Sequence, residues 1–158
     1  MNSEQKVKYL IENNIFMVVS TADASGKPWV SPVGFVYDNK YNLYWVSYKD
    51  ARHSKNIRSR PEVAISIFGQ IPNGGPDGVY IDGKAAELRD DKLIHLAIDL
   101  FATKRPQPER FAVHSVEEVS GDSPWRMYMV SPIEISKRSN TEVSGRAITN
   151  REVVDFWK

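Results

Sequence analysis

The chain has 158 residues, 41% of them hydrophobic, and a formal net charge of +1. That is enough apolar content for one folded domain over 1–158, and too little charge for a general pull toward nucleic acid or anionic membrane. Cysteine is absent, which excludes disulfides, thiolate metal sites and a cysteine nucleophile. No run approaches the roughly 18 apolar residues of a membrane span. The polar start Met1-Asn2-Ser3-Glu4-Gln5 lacks a signal-peptide core. The expectation is a cytoplasmic protein without membrane or nucleic-acid partners.

Glu4 to Glu12 places Val7, Leu10 and Ile11 at helical spacing ahead of Asn13-Asn14, predicting a short amphipathic helix over one end of a sheet. From Ile15 the texture changes to β-branched and aromatic runs broken by turn formers: Phe16 to Thr21, Trp29 to Tyr37, Asn42 to Tyr48, and Val63 to Phe68. The links Asp23 to Lys27 and Asp38 to Tyr41 are too short for parallel crossovers, so the first three strands read as an antiparallel meander. Ala51 to Pro61 reads as a short basic helix that Ser54 caps and Pro61 stops. Gly69 to Gly78 lacks the lysine and following helix of a phosphate loop and reads as a mobile lip over a pocket.

Gly78 to Leu88 is a fifth strand with a glycine bulge at Asp82-Gly83. Asp90 caps a helix to Phe101 that turns Leu93, Leu96, Ala97, Leu100 and Phe101 toward the sheet. Lys104 to Pro124 reads as a surface connection with one helical turn at Glu109 to Val113. A sixth strand runs from Trp125 to Ile135. Thr149-Asn150-Arg151-Glu152 is a capping-box pattern ahead of Val153, Val154, Phe156 and Trp157, which predicts a terminal helix.

Several strands are apolar on both faces: Tyr44, Val46 and Tyr48 oppose Leu43 and Trp45, and Val33 and Phe35 oppose Val30 and Val36. A sheet solvated on one side alternates apolar with polar. Both faces are therefore covered, one by the inside of a closed sheet and the other by helices or a second copy. The fold class is mainly β (α+β), a six-stranded antiparallel barrel with flanking helices, working as a homodimer.

Chemistry concentrates between Ser47 and Pro61. Lys49, Arg52, Lys55, Arg58 and Arg60 stand there against the single carboxylate of Asp50. The run straddles a strand end and a helix start, where free amides and the helix dipole favour an anion. A solvated basic helix face is the plain alternative.

A strand ending Trp45-Val46-Ser47, a basic turn and helix, then Pro61 leading into Val63 to Phe68 resembles the flavin-phosphate segment of the pyridoxamine 5'-phosphate oxidase-like family. The resemblance extends from Phe16 to Leu88, through Val18-Val19-Ser20-Thr21, the Gly26-Lys27-Pro28 turn, Trp29 to Phe35 and Gly83-Lys84-Ala85, with Trp125 to Ile135 as the last strand. It implies an FMN-binding split barrel of the general-stress-protein type, acting as an oxidoreductase on a small molecule. By it, Ser47, Arg52, His53 and Lys55 hold the ribityl phosphate, and Val30, Ser31, Pro32 and Val33 line the isoalloxazine ring. His53 stands where a lysine is common. The family's arginine-rich substrate signature is not recognisable in Ser136 to Lys158, so vitamin B6 oxidation is not implied. The alternatives are the deazaflavin F420 in the same barrel, or a non-enzymatic flavin- or haem-binding protein.

Other features read more plainly. His95 and His114 lack a partner at metal-ligand spacing, and no metal is assigned. Trp29, Trp45 and Trp125 read as core rather than as stacking partners. Lys137, Arg138, Arg146 and Arg151 read as solubilising charges of the tail.

Overall fold

The computed structural model describes residues 1–105 and 112–156. Helix α1 (Ser3–Asn13) starts at a reciprocal cap: the Asn2 side chain accepts from the Gln5 amide, and the Gln5 side chain accepts from the Asn2 amide. Then follow β1 (Phe16–Ala22), β2 (Pro28–Gly34), β3 (Val36–Tyr37) and β4 (Leu43–Tyr48). Helix α2 (Arg52–Ser59) leads to β5 (Glu62–Ile71) and β6 (Gly75–Glu87). Helix α3 (Asp91–Lys104), a 3-10 turn at Glu117–Val119, β7 (Trp125–Val143) and β8 (Arg146–Val153) complete the order.

Every strand pair is antiparallel, in the order β2-β1-β5-β6-β7-β4-β3, with β8 paired to the far half of β7. The two outermost strands of that order, β2 and β3, are separated in sequence by Phe35 alone, so the sheet curls to bring its two edges near each other while leaving them unpaired. This is the antiparallel barrel with flanking helices that the apolar two-sided strands predict. Its interior is filled by side chains such as Val19, Ile65, Ile81, Trp45 and Tyr128, closed at one end by Val7, Leu10 and Ile11 of α1. Trp45 and Tyr128 stack there at 5.4 Å. Outside, α3 packs Ile94, Ala97 and Ile98 on Val36, Tyr44 and Met127. The second apolar face of β3, β4 and β7 is thus accounted for. No described helix is long and apolar enough to cross a membrane.

The β6–β7 register shifts between Asp82 and Gly83 as expected, but the extra residue is Ile133 on β7, so the bulge lies in β7 opposite Gly83 rather than in the glycine strand. A Cβ at Gly83 would lie 2.7 Å from the Ser131 carbonyl oxygen, so only glycine lets the two backbones approach.

Several expectations need correction. The strand from Trp29 to Tyr37 breaks at Phe35, whose amide bonds to the Ile15 carbonyl at 3.2 Å instead of to a neighbour in the ladder. Gly69 to Gly78 is no lip: Ile71 pairs with Gly75 and Gly69 with Asp77 in a hairpin lying against Asn14, at the end of β5 away from α2. On α3, Leu93 and Leu96 are exposed while Ile94 and Ile98 are buried, so the packed stripe is rotated by about one residue. The helical turn expected at Glu109 to Val113 falls largely outside the described residues.

The largest correction is at the C-terminus. β7 does not stop at Ile135 but continues to Val143, and the tail returns as β8 rather than as a helix. Ser144 and Gly145 both have positive φ, 52° and 76°, the backbone of the two-residue turn whose twist suits a hairpin. Pairing then starts at Val143 with Arg146. Lys137 is not outward: it is buried, 3.7 Å from the Glu152 carboxylate.

Candidate functional site

Helix α2 is seated at one end of the barrel by buried polar bonds as well as by Ile57. The Ser54 hydroxyl donates to the Tyr48 carbonyl at 2.9 Å, fixing the helix to the end of β4. Ser54 is therefore an internal anchor and not the cap; the cap position is Ala51, which has no side-chain acceptor to offer. Asn56, 4% exposed, donates to the Thr21 hydroxyl at 3.0 Å and ties the helix to β1. The amides of the first turn of α2 are left without a side-chain partner, and no acidic residue lies in that turn.

His53 projects from this turn between two strands. Its Nδ1 lies 3.1 Å from the Ser31 hydroxyl on β2, and its Nε2 lies 2.8 Å from the Ser47 hydroxyl on β4. A neutral imidazole donates at one nitrogen and accepts at the other, which suits two hydroxyls that can turn either way. Burial lowers the His53 pKa below its ordinary value. Ser31 and Ser47 are themselves buried.

Arg52 stands beside this chain with its guanidinium 4.5 Å from the centre of the Trp29 ring. Its Nη2 is 3.8 Å from the Asp23 carboxylate. Asp23 is held below the usual carboxylate range mainly by the Ser25 hydroxyl and the Lys27 amide, with Arg52 a lesser contributor. Arg52 is thus positioned without being neutralised. Lys55, exposed and three residues on, shares the Arg52 side of the helix. Arg58 points elsewhere: it donates to the Lys49 carbonyl at 2.8 Å and lies near Asp50 and Glu87.

The structure therefore brings Ser31, Ser47 and His53 into one hydrogen-bonded chain, with Arg52 and Lys55 on the same short helix. It divides the four β2 residues. Ser31 and Val33 face inward, while Val30 and Pro32 lie on the outer, exposed face. Trp45 is core as expected, but Trp29 and Trp125 are exposed, at 41% and 51%. Sequence reasoning missed the roles of Trp29, Asp23, Thr21 and Asn56. The signal was present for the first two, since a tryptophan and an aspartate flank the Ser25-Gly26-Lys27 turn that faces the basic helix. Among the described residues no three His, Asp or Glu side chains converge as a metal set.

This arrangement can do two things chemically: hold an anion against donors at a helix start, and present the open edge of β2, which among the described residues pairs only with β1, to a planar polar group. Comparison with known proteins bears on it. The family described as pyridoxamine 5'-phosphate oxidase matches residues 3–121. No curated protein matches. Among solved structures, HutZ, the heme storage protein of Vibrio cholerae, aligns with a TM-score of 0.66 and 20% identity, covering 84% of this chain and 91% of that one. A FAD-binding protein of Mesorhizobium loti aligns at 0.66 and 18%, covering 85% and 93%. An F420 reductase aligns at 0.59 and 18%, covering 82% and 94%. At such identities the likeness carries the fold and not the ligand. The family match, in contrast, runs unbroken through β2 and α2, and by it the chain belongs to the pyridoxamine 5'-phosphate oxidase family of split barrels.

Proposed function

We propose that this protein binds FMN, with the phosphate at the start of α2 and the ring system along β2, and works as a homodimeric flavin-dependent oxidoreductase on a small molecule. The observation that carries the reading is the donor set gathered at one point. Arg52 steered by Trp29 and the uncapped first turn of α2 offer hydrogens to an anion, and the Ser31–His53–Ser47 chain leaves one serine hydroxyl hydrogen to add to them. The residues present fit a phosphate, since the nearby carboxylate, Asp23, lies 3.8 Å from Arg52 and leaves most of its guanidinium fork available.

Bound flavin supplies the redox chemistry itself, which accounts for a site built of binding residues. Arg52 and Lys55 anchor, His53 spaces β2 from β4, and the β2 edge orients the ring. His53 has both ring nitrogens engaged by serines, which counts against haem ligation at this residue. The homodimer is supported by a sheet face on which Phe16, Val30 and Phe68 are each more than half exposed, at 61%, 57% and 68%.

The test is a fluorescence titration with FMN and with riboflavin, which lacks the phosphate. Arg52→Ala removes a charge-assisted contact of about 1.5 to 3 kcal/mol, a loss of roughly tenfold to a hundredfold in FMN affinity. Riboflavin affinity stays as in the wild type. Arg146→Ala, at the tip of the C-terminal hairpin, changes neither. FMN binding as tight in Arg52→Ala as in the wild type removes the phosphate assignment. Tight F420 binding with no FMN binding replaces the cofactor. Bound FMN that NAD(P)H fails to reduce in stopped flow removes the oxidoreductase.

A further inference from the structure

The chain from Ser31 through His53 to Ser47 is limited by its hydrogens. A neutral imidazole carries one N–H and each serine one O–H, and two of these three hydrogens are spent on the bonds within the chain. One serine donates into the ring, the ring donates to the other serine, and a single hydroxyl hydrogen points away. An imidazolium changes the count. With both ring nitrogens donating, both serines accept, and both hydroxyl hydrogens leave the chain. Protonation of His53 therefore doubles the outward donors and sets a positive charge behind them.

The surroundings decide which count holds. On α2 the histidine stands between Arg52 and Lys55; Lys49 and Asp50 precede it, and Asp50 is drawn to Arg58. The β1–β2 turn contributes Asp23, ionised and 3.8 Å from Arg52, and the exposed Lys27. β2 and β4, the strands on either side, carry no charged residue, and Tyr44 and Tyr48 are turned to Asp38 and Trp125. β7 sets Arg126 opposite Ser47 in register, balanced by Glu87 at 3.3 Å. Burial keeps the ring neutral at pH 7 in the ligand-free protein, and the cations beside it act in the same direction. A phosphate ester reverses the field. It brings about 1.5 to 2 negative charges at pH 7, occupies Arg52 and Lys55, and takes as many donors as the site can turn toward it.

We infer that phosphate binding at the start of α2 draws a proton onto His53, so that FMN is taken up together with a proton and Ser31 and Ser47 both turn to donate to it. The proton comes from solvent, rests on the imidazole, and returns when FMN leaves. The site is thereby tuned to a phosphate monoester: a ligand with one negative charge draws the proton more weakly, and riboflavin draws none. His53 is a positioning residue that acts through the two serines. The inference rests on the phosphate reading of the site and adds its linkage to pH.

Isothermal titration of FMN into the full chain at pH 7.5, in buffers of different ionisation enthalpy, counts the protons. Uptake of about half a proton or more per FMN is expected for the wild type, and none for riboflavin or for His53→Gln. The phosphate's own titration, near pH 6, gives proton release and cannot imitate uptake. The other two histidines, His95 and His114, lie by the Glu117–Val119 turn, away from α2. Between pH 6.5 and 8.5 wild-type FMN affinity falls roughly fivefold to tenfold, while that of His53→Gln stays within about twofold. Nitrogen-15 spectra of the histidine-labelled wild type read the ring itself, neutral in the free protein and an imidazolium with FMN bound, and they decide the matter should His53→Gln fail to fold. FMN that binds through Arg52 with no proton uptake and a neutral His53 overturns this inference and leaves the phosphate reading standing. FMN that does not bind, or that binds Arg52→Ala as tightly as the wild type, ends both.

Discussion

The guanidinium of Arg52 lies over the Trp29 ring, 4.5 Å from its centre, and the tryptophan serves as its platform. Trp29→Ala removes the platform and leaves the charge. FMN affinity should then fall by about twofold to fivefold, the scale of an exposed cation–π contact. Arg52→Ala should cost far more. In the double variant the Trp29 change should add little, and isothermal titration of the four proteins checks the coupling.

His53 gives the ligand-free protein a pH dependence of definite sign. Burial lowers its pKa in the fold, below the ordinary value near 6.5. The unfolded chain therefore binds the proton first as pH falls. Stability is complete above about pH 6.5 and declines below it, until the folded histidine also titrates. Thermal melts between pH 7.5 and 5.5 should show a steeper decline for the wild type than for His53→Gln, which keeps hydrogen-bonding capacity without the charge.

Gly83→Ala should destabilise through backbone collision. The new methyl group would sit 2.7 Å from the Ser131 carbonyl oxygen and 2.8 Å from a Val130 methyl. Neither the strand nor the buried valine can yield without disturbing the bulge, so a loss of about 1 to 3 kcal/mol is expected. Calorimetry should record a Tm lower by roughly 3 to 10 °C.

Asn56→Ala should cost about 1 to 3 kcal/mol, because it empties a buried polar position and takes away the donor to Thr21. The tie between α2 and β1 is lost with it. Flavin affinity should fall along with stability, whereas Gly83→Ala should lower stability alone. Chemical denaturation alongside FMN titration separates the two.

The barrel was legible because its strands obey period two on both sides of a closed sheet: Tyr128 and Val130 fall inside, Met127 outside under α3. The basic helix was legible through charge concentrated beside Ser47. What sequence could not convey was direction. Arg58 looks equivalent to Arg52 in the run, yet it is drawn to Asp50 and Glu87, carboxylates that the fold brings near it. The terminal hairpin escaped for another reason. Its turn puts a serine at positive φ, a conformation serine does not advertise, while Thr149 to Glu152 imitates a helix cap that the pairing with β7 overrides.

β7 is the only strand in the sheet order that joins β6 to β4. As the chain leaves the ribosome, β2-β1-β5-β6 and β3-β4 are two separate sheet fragments, each with an open edge. Leu43 must wait for Val130, its partner in register, before β4 is paired on that side. Closure is therefore a late event of high sequence separation, and such events are slow. A nascent chain paused ahead of Trp125 holds Trp45 and Tyr44 on an unfinished edge, the kind of surface that recruits chaperones or aggregates. Translation of β7, more than any step before it, sets when this barrel becomes safe from its neighbours.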